Sequence, residues 1–387
     1  MQPNLFFAVL AGILGILLFF AILWEAFETI VLPRSVTRSL RLTRLFYLTF
    51  WKMTSGLARR SKPTGKRELF LSYFGPLSLP ILLGFWAALL ILSFGLMEWT
   101  LGPHAYSPPG AKTGFGSDLY QSGVTFFTLG YGDIVPRTGA ARVLAVLETG
   151  VGFGFLALVI GYLPVLYQAF SKRESTISRL DGRAGSPPTA GELLRRHAQA
   201  KNMDALVGLL SEWESWSSEI LESHLSYPVL PYYRSQHDHQ SWLAALTSIM
   251  DTCAVLIIGV QGAPAWQTPL QWQARMTFAM ARHTIIDLAY VFHAAPVPLD
   301  PERLTPAGLT RLRAELFAVG LPLCDSTEDT QNLTELRGLY EPYVHALSEF
   351  FLFSLPPWQG DPLSQDNWQT SAWDSMLNTT EEHLHFH

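Results

Sequence analysis

Residues 125 to 136 read TFFTLGYGDIVP, and the chemistry they offer lies in the backbone. Successive carbonyls can point the same way only where the chain alternates between ordinary and left-handed dihedrals, and Gly130 and Gly132 tolerate a positive φ without steric cost. The carbonyls of Thr128, Leu129, Gly130 and Tyr131 then form a ladder of oxygens above the Thr128 hydroxyl, able to replace the water around a dehydrated cation. By itself this spacing implies a cation-coordinating loop and no particular ion.

Such a loop needs elements to hold it. Residues 118 to 127, DLYQSGVTFF, are too short to cross a bilayer but apolar enough to enter one, with Ser117 or Asp118 as the expected cap after Gly116. The C-terminus of this short helix aims partial negative charge at the cavity beneath the loop. Irregular backbone at membrane depth is tolerated only where protein buries it or a water-filled cavity adjoins it. Three runs contain no charge: residues 4 to 24, Phe74 to Met97 and Thr149 to Ser171. At a rise of about 1.5 Å per residue, each exceeds a hydrocarbon thickness of roughly 30 Å. With 49% hydrophobic and 15% charged residues, the chain falls outside the wholly soluble class. The first run lacks a basic n-region and a small-residue cleavage site and continues past Trp24 into EAFETIVLPR, which predicts a retained helix rather than a signal peptide.

Charge is sorted along the chain. Residues 34 to 67 carry ten Lys or Arg and no Asp or Glu, and Lys172, Arg173, Arg179 and Arg183 follow the third run. The positive-inside rule puts both clusters in the cytoplasm, the N-terminus outside, and residues 101 to 117 on the outer side. A multi-pass protein of the cell (inner) membrane, with its C-terminal half in the cytoplasm, is expected.

TLGYGD resembles the selectivity filter of potassium channels. Over about residues 74 to 170, the order outer helix, pore helix, filter, inner helix is similar to the bacterial type with two pore-forming helices per subunit, here with an additional N-terminal membrane helix. The resemblance implies passive conduction of K⁺ through sites at Thr128, Leu129, Gly130, Tyr131 and Gly132. Leu129 stands where valine is usual, which alters packing behind the filter but keeps the carbonyl. One loop per chain against a ring of four implies a homotetramer. TGFGSD at residues 113 to 118 is read as a Gly-rich turn, because no apolar helix precedes it. Tyr120 matches the aromatic position behind the filter and is expected to brace Asp133, whose alternative is to face water. Val124 occupies the position where some members carry a glutamate paired with that aspartate. Gly152 matches the family's hinge, although small residues also permit close helix packing. Pro164 removes a helix hydrogen bond near the cytoplasmic mouth, and the match turns Leu156 and Ile160 toward the cavity, where an apolar constriction can gate by dewetting.

Glu148, a carboxylate inside the third run, is costly in lipid; support of the filter from behind is expected, with cation binding or titration as alternatives. Glu25 and Glu28 suit snorkelling or pairing with Arg34 or Arg38. The spacing of Arg34, Arg38, Arg41 and Arg44 suggests a voltage sensor, but the supporting helices and counter-charges are missing; a basic amphipathic helix on the anionic inner leaflet fits better.

Beyond DGRAGSPPTAG, helical periodicity resumes at residues 190–199, 203–225, 240–261, 267–294, 301–319 and 327–354. The apolar run SWLAALTSIMDTCAVLIIGV is interrupted by Asp251, which predicts a buried bundle helix rather than a fourth span. The expected architecture is an all-α membrane protein. It comprises an N-terminal transmembrane helix (1–33), a basic interfacial segment (34–70) and a pore domain (71–172; outer helix 74–99, pore helix 117–127, filter 128–133, inner helix 141–171). A linker (173–190), an α-helical cytoplasmic domain (191–356) and a loosely ordered tail (357–387) complete it. Cys253 and Cys324 show no disulfide or metal-ligand spacing. His283 with Asp287, His237 and His239 around Asp238, and the terminal HLHFH invite a metal or pH-sensing role, but helix-surface or hydrogen-bonding roles explain them as well. No cofactor, transition metal or nucleic-acid partner is expected, nor enzyme activity, since no nucleophile, base and cofactor come together. The rival readings are a membrane-tethered sensor or scaffold with weak or non-selective cation conduction, and a K⁺ transporter subunit.

Overall fold

The computed structural model describes residues 5–31, 42–60, 65–102, 104–106, 114–235, 240–262, 264–298, 302–360 and 366. Among them the chain is all-helical, with one isolated antiparallel bridge between Val260 and Leu323. Three stretches are long and apolar enough to cross a membrane, Phe6–Ile30, Gly65–Thr100 and Gly139–Ala184. The chain divides into two units, Met1–Gln168 with Ser226–Tyr233, and Ala169–Leu225 with Arg234–His387.

In the first unit, α1 (Leu5–Ala26) ends in a π-helical turn, Phe27–Val31, and α2 (Leu42–Arg59) and α3 (Gly65–Ser72) lead into α4 (Phe74–Thr100). Lipid offers no hydrophobic drive for helix pairing, so α1 and α4 associate through small residues and a hydrogen bond. A Cβ on Gly15 would lie 2.8 Å from the Ser93 carbonyl oxygen, and the Ser93 hydroxyl donates to the Gly15 carbonyl at 2.8 Å. Glu25 accepts from the Thr43 N–H at 2.9 Å, satisfying one of the orphan donors at the start of α2. Helix α2 buries Thr43, Tyr47, Trp51, Ser55 and Ala58 and leaves Leu45, Met53 and Leu57 exposed on the opposite face. Arg44 sits in its first turn; Arg34, Arg38 and Arg41 lie outside the described residues.

Helices α5 (Phe115–Phe126) and α6 (Gly139–Ala184) complete the membrane unit. The inner helix, expected to end at 171, continues unbroken to Ala184 and absorbs most of the expected linker 173–190. Apolar residues persist on one side, and Ile177, Leu180 and Ala184 are buried, so packing extends the helix past the end of the charge-free run.

In the second unit, α7 (Ala190–Gln199), α8 (Ala205–Ser226), α10 (Gln267–Phe292), α11 (Pro306–Ala318), α12 (Thr327–Gly338) and α13 (Glu341–Phe351) form a bundle with α9 (Trp242–Ile258). All of α9 except Ile257 and Ile258 is buried. Its 17 residues span about 25 Å, short of a bilayer. The single run read over 327–354 is two helices, parted at Leu339 and Tyr340 where Pro342 cannot continue a helix. The beginning of the tail is fixed rather than loose. Trp358 is buried, with Arg303 and Arg337 over its ring at 5.9 and 5.7 Å, and Asp366 accepts from Arg196 at 2.7 Å and from the Ser186 N–H at 3.1 Å. Cys253 and Cys324 are free thiols.

Candidate functional site

The loop after α5 has the alternation that the oxygen ladder requires. Thr128, Gly130 and Gly132 have φ of 57°, 59° and 79°, with Leu129 and Tyr131 between them. The glycines adopt this region freely. Thr128 does not: a β-branched residue at positive φ is a strained outlier of the kind that collects at functional sites. The sequence pattern of glycines gave no signal for the third left-handed position.

The turn into the loop is fixed by backbone hydrogen bonds from Phe127 N–H to Gly123 O (3.1 Å), Thr128 N–H to Thr125 O (3.0 Å) and Leu129 N–H to Val124 O (2.8 Å). Val124 thus holds the loop through its carbonyl while its side chain is buried. At the other end of α5, Gly114 is the N-cap and no side chain caps the helix. Ser117 and Asp118, the expected caps, lie inside the first turn, their N–H groups directed to the Gly114 carbonyl, and Asp118 there still complements the helix dipole. Helix α5 meets α4 closely because Gly95 has no side chain; a Cβ would lie 3.2 Å from the Leu119 Cα.

Behind α5 lies a buried polar group contributed by three helices. The Ser122 hydroxyl is 2.5 Å from Glu148 Oε1 and 2.8 Å from the Ile91 carbonyl, so α5 is tied to both α6 and α4. Glu148 and Glu98 are fully buried. Glu98, on α4, faces Tyr106 and Asp118, and neither of its oxygens has a partner of normal hydrogen-bond length among the described residues. The Tyr106 hydroxyl donates to the Ala141 carbonyl at 3.3 Å, fastening the segment after α4 to the start of α6. Glu148 was legible as an intramembrane carboxylate; Glu98 was equally legible, alone at the end of a charge-free run, and Ser122 was not. Tyr120 and Asp133 are near enough to influence each other electrostatically, and Tyr120 is on the exposed side of α5 in the single chain.

On α6, Gly152 is where the inner helix touches the loop's support. A Cβ there would overlap the Phe126 carbonyl oxygen and lie 2.9 Å from its carbonyl carbon, whereas Gly150 and Gly154 face open space. The helix is continuous at Gly152 and at Pro164. Leu156 and Ile160 are exposed in the single chain, as are Leu129 and Tyr131 of the loop. His283 and Asp287 form an exposed pair at 3.6 Å on α10, while His237, His239 and the terminal histidines lie outside the described residues. Among the described residues no group of three or more His, Cys, Asp or Glu is placed to hold a metal.

Residues 83–168 match a family described as ion channel, a stretch that contains α5, the loop and most of the apolar part of α6. The chain is 24% identical over 268 residues to the uncharacterized membrane protein YdjJ of Bacillus subtilis (strain 168), covering 67% of this chain and 76% of that one. No solved structure matches. The chain is an all-helical membrane protein that carries an ion channel domain.

Proposed function

We propose that four copies of this chain form a K⁺-selective channel that conducts passively. The observation that carries the reading is the left-handed alternation at Thr128, Gly130 and Gly132 in a loop that follows a short helix. Alternation of this kind turns consecutive carbonyls to one side, and rings of such carbonyls from four chains replace an ion's hydration shell. Thr128, Leu129, Gly130, Tyr131 and Gly132 supply the oxygens. Leu129 and Tyr131, 53% and 67% exposed in the single chain, are covered when copies surround the loop. Tyr120, Val124, Asp133 and Glu148 support it.

Opening takes place at the inner helices. Pro164 leaves the Ile160 carbonyl without its helical donor, and Leu156 and Ile160 provide the apolar constriction. Gly152 lets α6 press on the end of the pore helix, so a bend there also reaches the filter. The basic residues Arg34, Arg38, Arg41 and Arg44 contact anionic lipid of the inner leaflet, each adding on the order of 1 kcal/mol, with the N-terminus outside and the helical second unit cytoplasmic.

The test is K⁺ efflux from liposomes containing the purified chain, with Gly130→Asp as control. Efflux that Gly130→Asp removes supports the reading; equal efflux from both proteins overturns it.

A further inference from the structure

Residues 226–233, SYPVLPYY, lead from α8 toward α9 yet pack as part of the first unit. Val229 and Leu230 are buried, and a short 3₁₀ turn runs from Leu230 to Tyr232. The Tyr232 ring stacks on Tyr47 of α2 with centroids 5.9 Å and planes 12° apart, and Trp51 and Phe74 close the box, each at 5.1 Å. Tyr233 fills the space left by Gly75 at the start of α4, where a Cβ would lie 2.7 Å from the Tyr233 Cδ2. At the other end, Tyr227 meets Tyr162 of α6 at 5.7 Å, and Tyr162 is buried. Pro228 and Pro231 narrow the conformations open to the stretch before it docks, which lowers the entropy lost on docking.

We infer that this strap is a positioning element for the inner helix. It joins α6 at Tyr162 to an aromatic box on α2 and α4, two residues before Pro164, where α6 lacks a backbone hydrogen bond and bends at least cost. Aromatic contacts of this size hold the strap firmly. The N-terminal end of the strap follows directly on α8, whose residues up to Leu225 belong to the second unit, so chain connectivity carries a displacement of α8 to the point where α6 is softest. Docked, the strap fixes one position of the inner helix; released, it frees α6 to take another. The inference rests on the channel reading above.

The test compares K⁺ flux from liposomes, and chymotrypsin cleavage after Tyr232 or Tyr233, in the full chain and in Gly75→Ala, Tyr233→Ala, their double variant, Tyr162→Ala and Tyr162→Phe. Gly75→Ala places a methyl group against the Tyr233 ring. It is expected to open the cleavage site and to change flux about tenfold, within the roughly 5–150-fold span usual for coupled sites. The double variant is expected to match Tyr233→Ala alone, because the ring that clashed is gone. Tyr162→Ala is expected to change flux in the same direction, while Tyr162→Phe keeps the ring and the wild-type flux. Flux within about twofold of wild type in Gly75→Ala and Tyr162→Ala, below any usual coupling, overturns the positioning role even where cleavage is exposed. So does a double variant whose effect is the product of the two single ones. A wild-type chain without Gly130-dependent flux overturns the channel reading and the role built on it, which separates that failure from the strap's own.

Discussion

Two sets of fully buried carboxylates, one in each unit, are held in opposite ways. In the second unit, Asp251 is fully buried and met by Arg303 at 2.6 Å and by the Tyr340 hydroxyl at 2.5 Å. Glu341 beside it pairs with Arg303 and Arg337, both at 3.1 Å. In the first unit, Glu98 has no partner of normal length among the described residues and Glu148 is held through one oxygen by Ser122. A network in which every charge is met fixes one packing, whereas a buried carboxylate with no cation beside it is costly and points to function. The second unit's cluster therefore reads as a clamp that joins α9, α13 and the loop before α11. Glu148 and Glu98 of the first unit read as part of what holds α5.

Removing a partner from the satisfied cluster has the largest expected effect. Arg303→Met leaves Asp251 and Glu341 facing each other without their shared cation, at a cost of about 3–5 kcal/mol, read as a lowered unfolding midpoint of the full chain in detergent. Next comes Gly152→Ala. Its methyl group meets a backbone carbonyl that cannot rotate away, so about 3 kcal/mol is lost, and the membrane unit should unfold earlier while the second unit's helices keep their signal. Ser122→Ala cuts the tie from the pore helix to Glu148 and Ile91 and should cost about 2 kcal/mol. Its loss should show as faster hydrogen exchange in α5, and none in α9.

The smallest effect concerns the histidines of the second unit. Burial, and then the nearby Arg173 guanidinium, hold His224 well below the ordinary imidazole range; burial lowers His197 as well. A base whose folded pKa is depressed takes up its proton in the unfolded chain first. Stability is therefore full above the unfolded value, about 6.5, and falls as the pH drops below it. The slope is up to about 1.4 kcal/mol per pH unit for each histidine. The unfolding midpoint should fall between about pH 7.5 and pH 5.5, and His224→Gln should flatten that fall.

The sequence was most legible where local pattern decides structure. The charge-free runs became α1, α4 and α6, Asp251 interrupts a helix too short to span, and Gly130 and Gly132 announced positive φ. Where distant residues decide, it was silent. Thr128 takes its left-handed form within the turn closed by the Leu129 N–H on the Val124 carbonyl. The function of Ser122 depends on a carboxylate 26 positions away. Gly152 resembled a hinge by position, but its missing side chain is filled by the Phe126 carbonyl, a contact that no spacing rule displays. The strap SYPVLPYY has no helical or strand period; three tyrosines and two prolines in eight residues were a signal that this loop docks, although its partners on α2 and α4 lie more than 150 positions earlier. Trp358 and Asp366 are fixed by Arg303, Arg337 and Arg196, again partners remote in sequence.

Selection of K⁺ by the carbonyls of loop 128–132, proposed above, is open to direct measurement. The most direct measurement is the reversal potential of currents through the purified chain in a planar bilayer with K⁺ on one side and Na⁺ on the other. A reversal potential strongly displaced toward the K⁺ equilibrium value, with the current lost in Gly130→Asp, is the predicted result. Currents that reverse near zero, or that persist unchanged in Gly130→Asp, would contradict it.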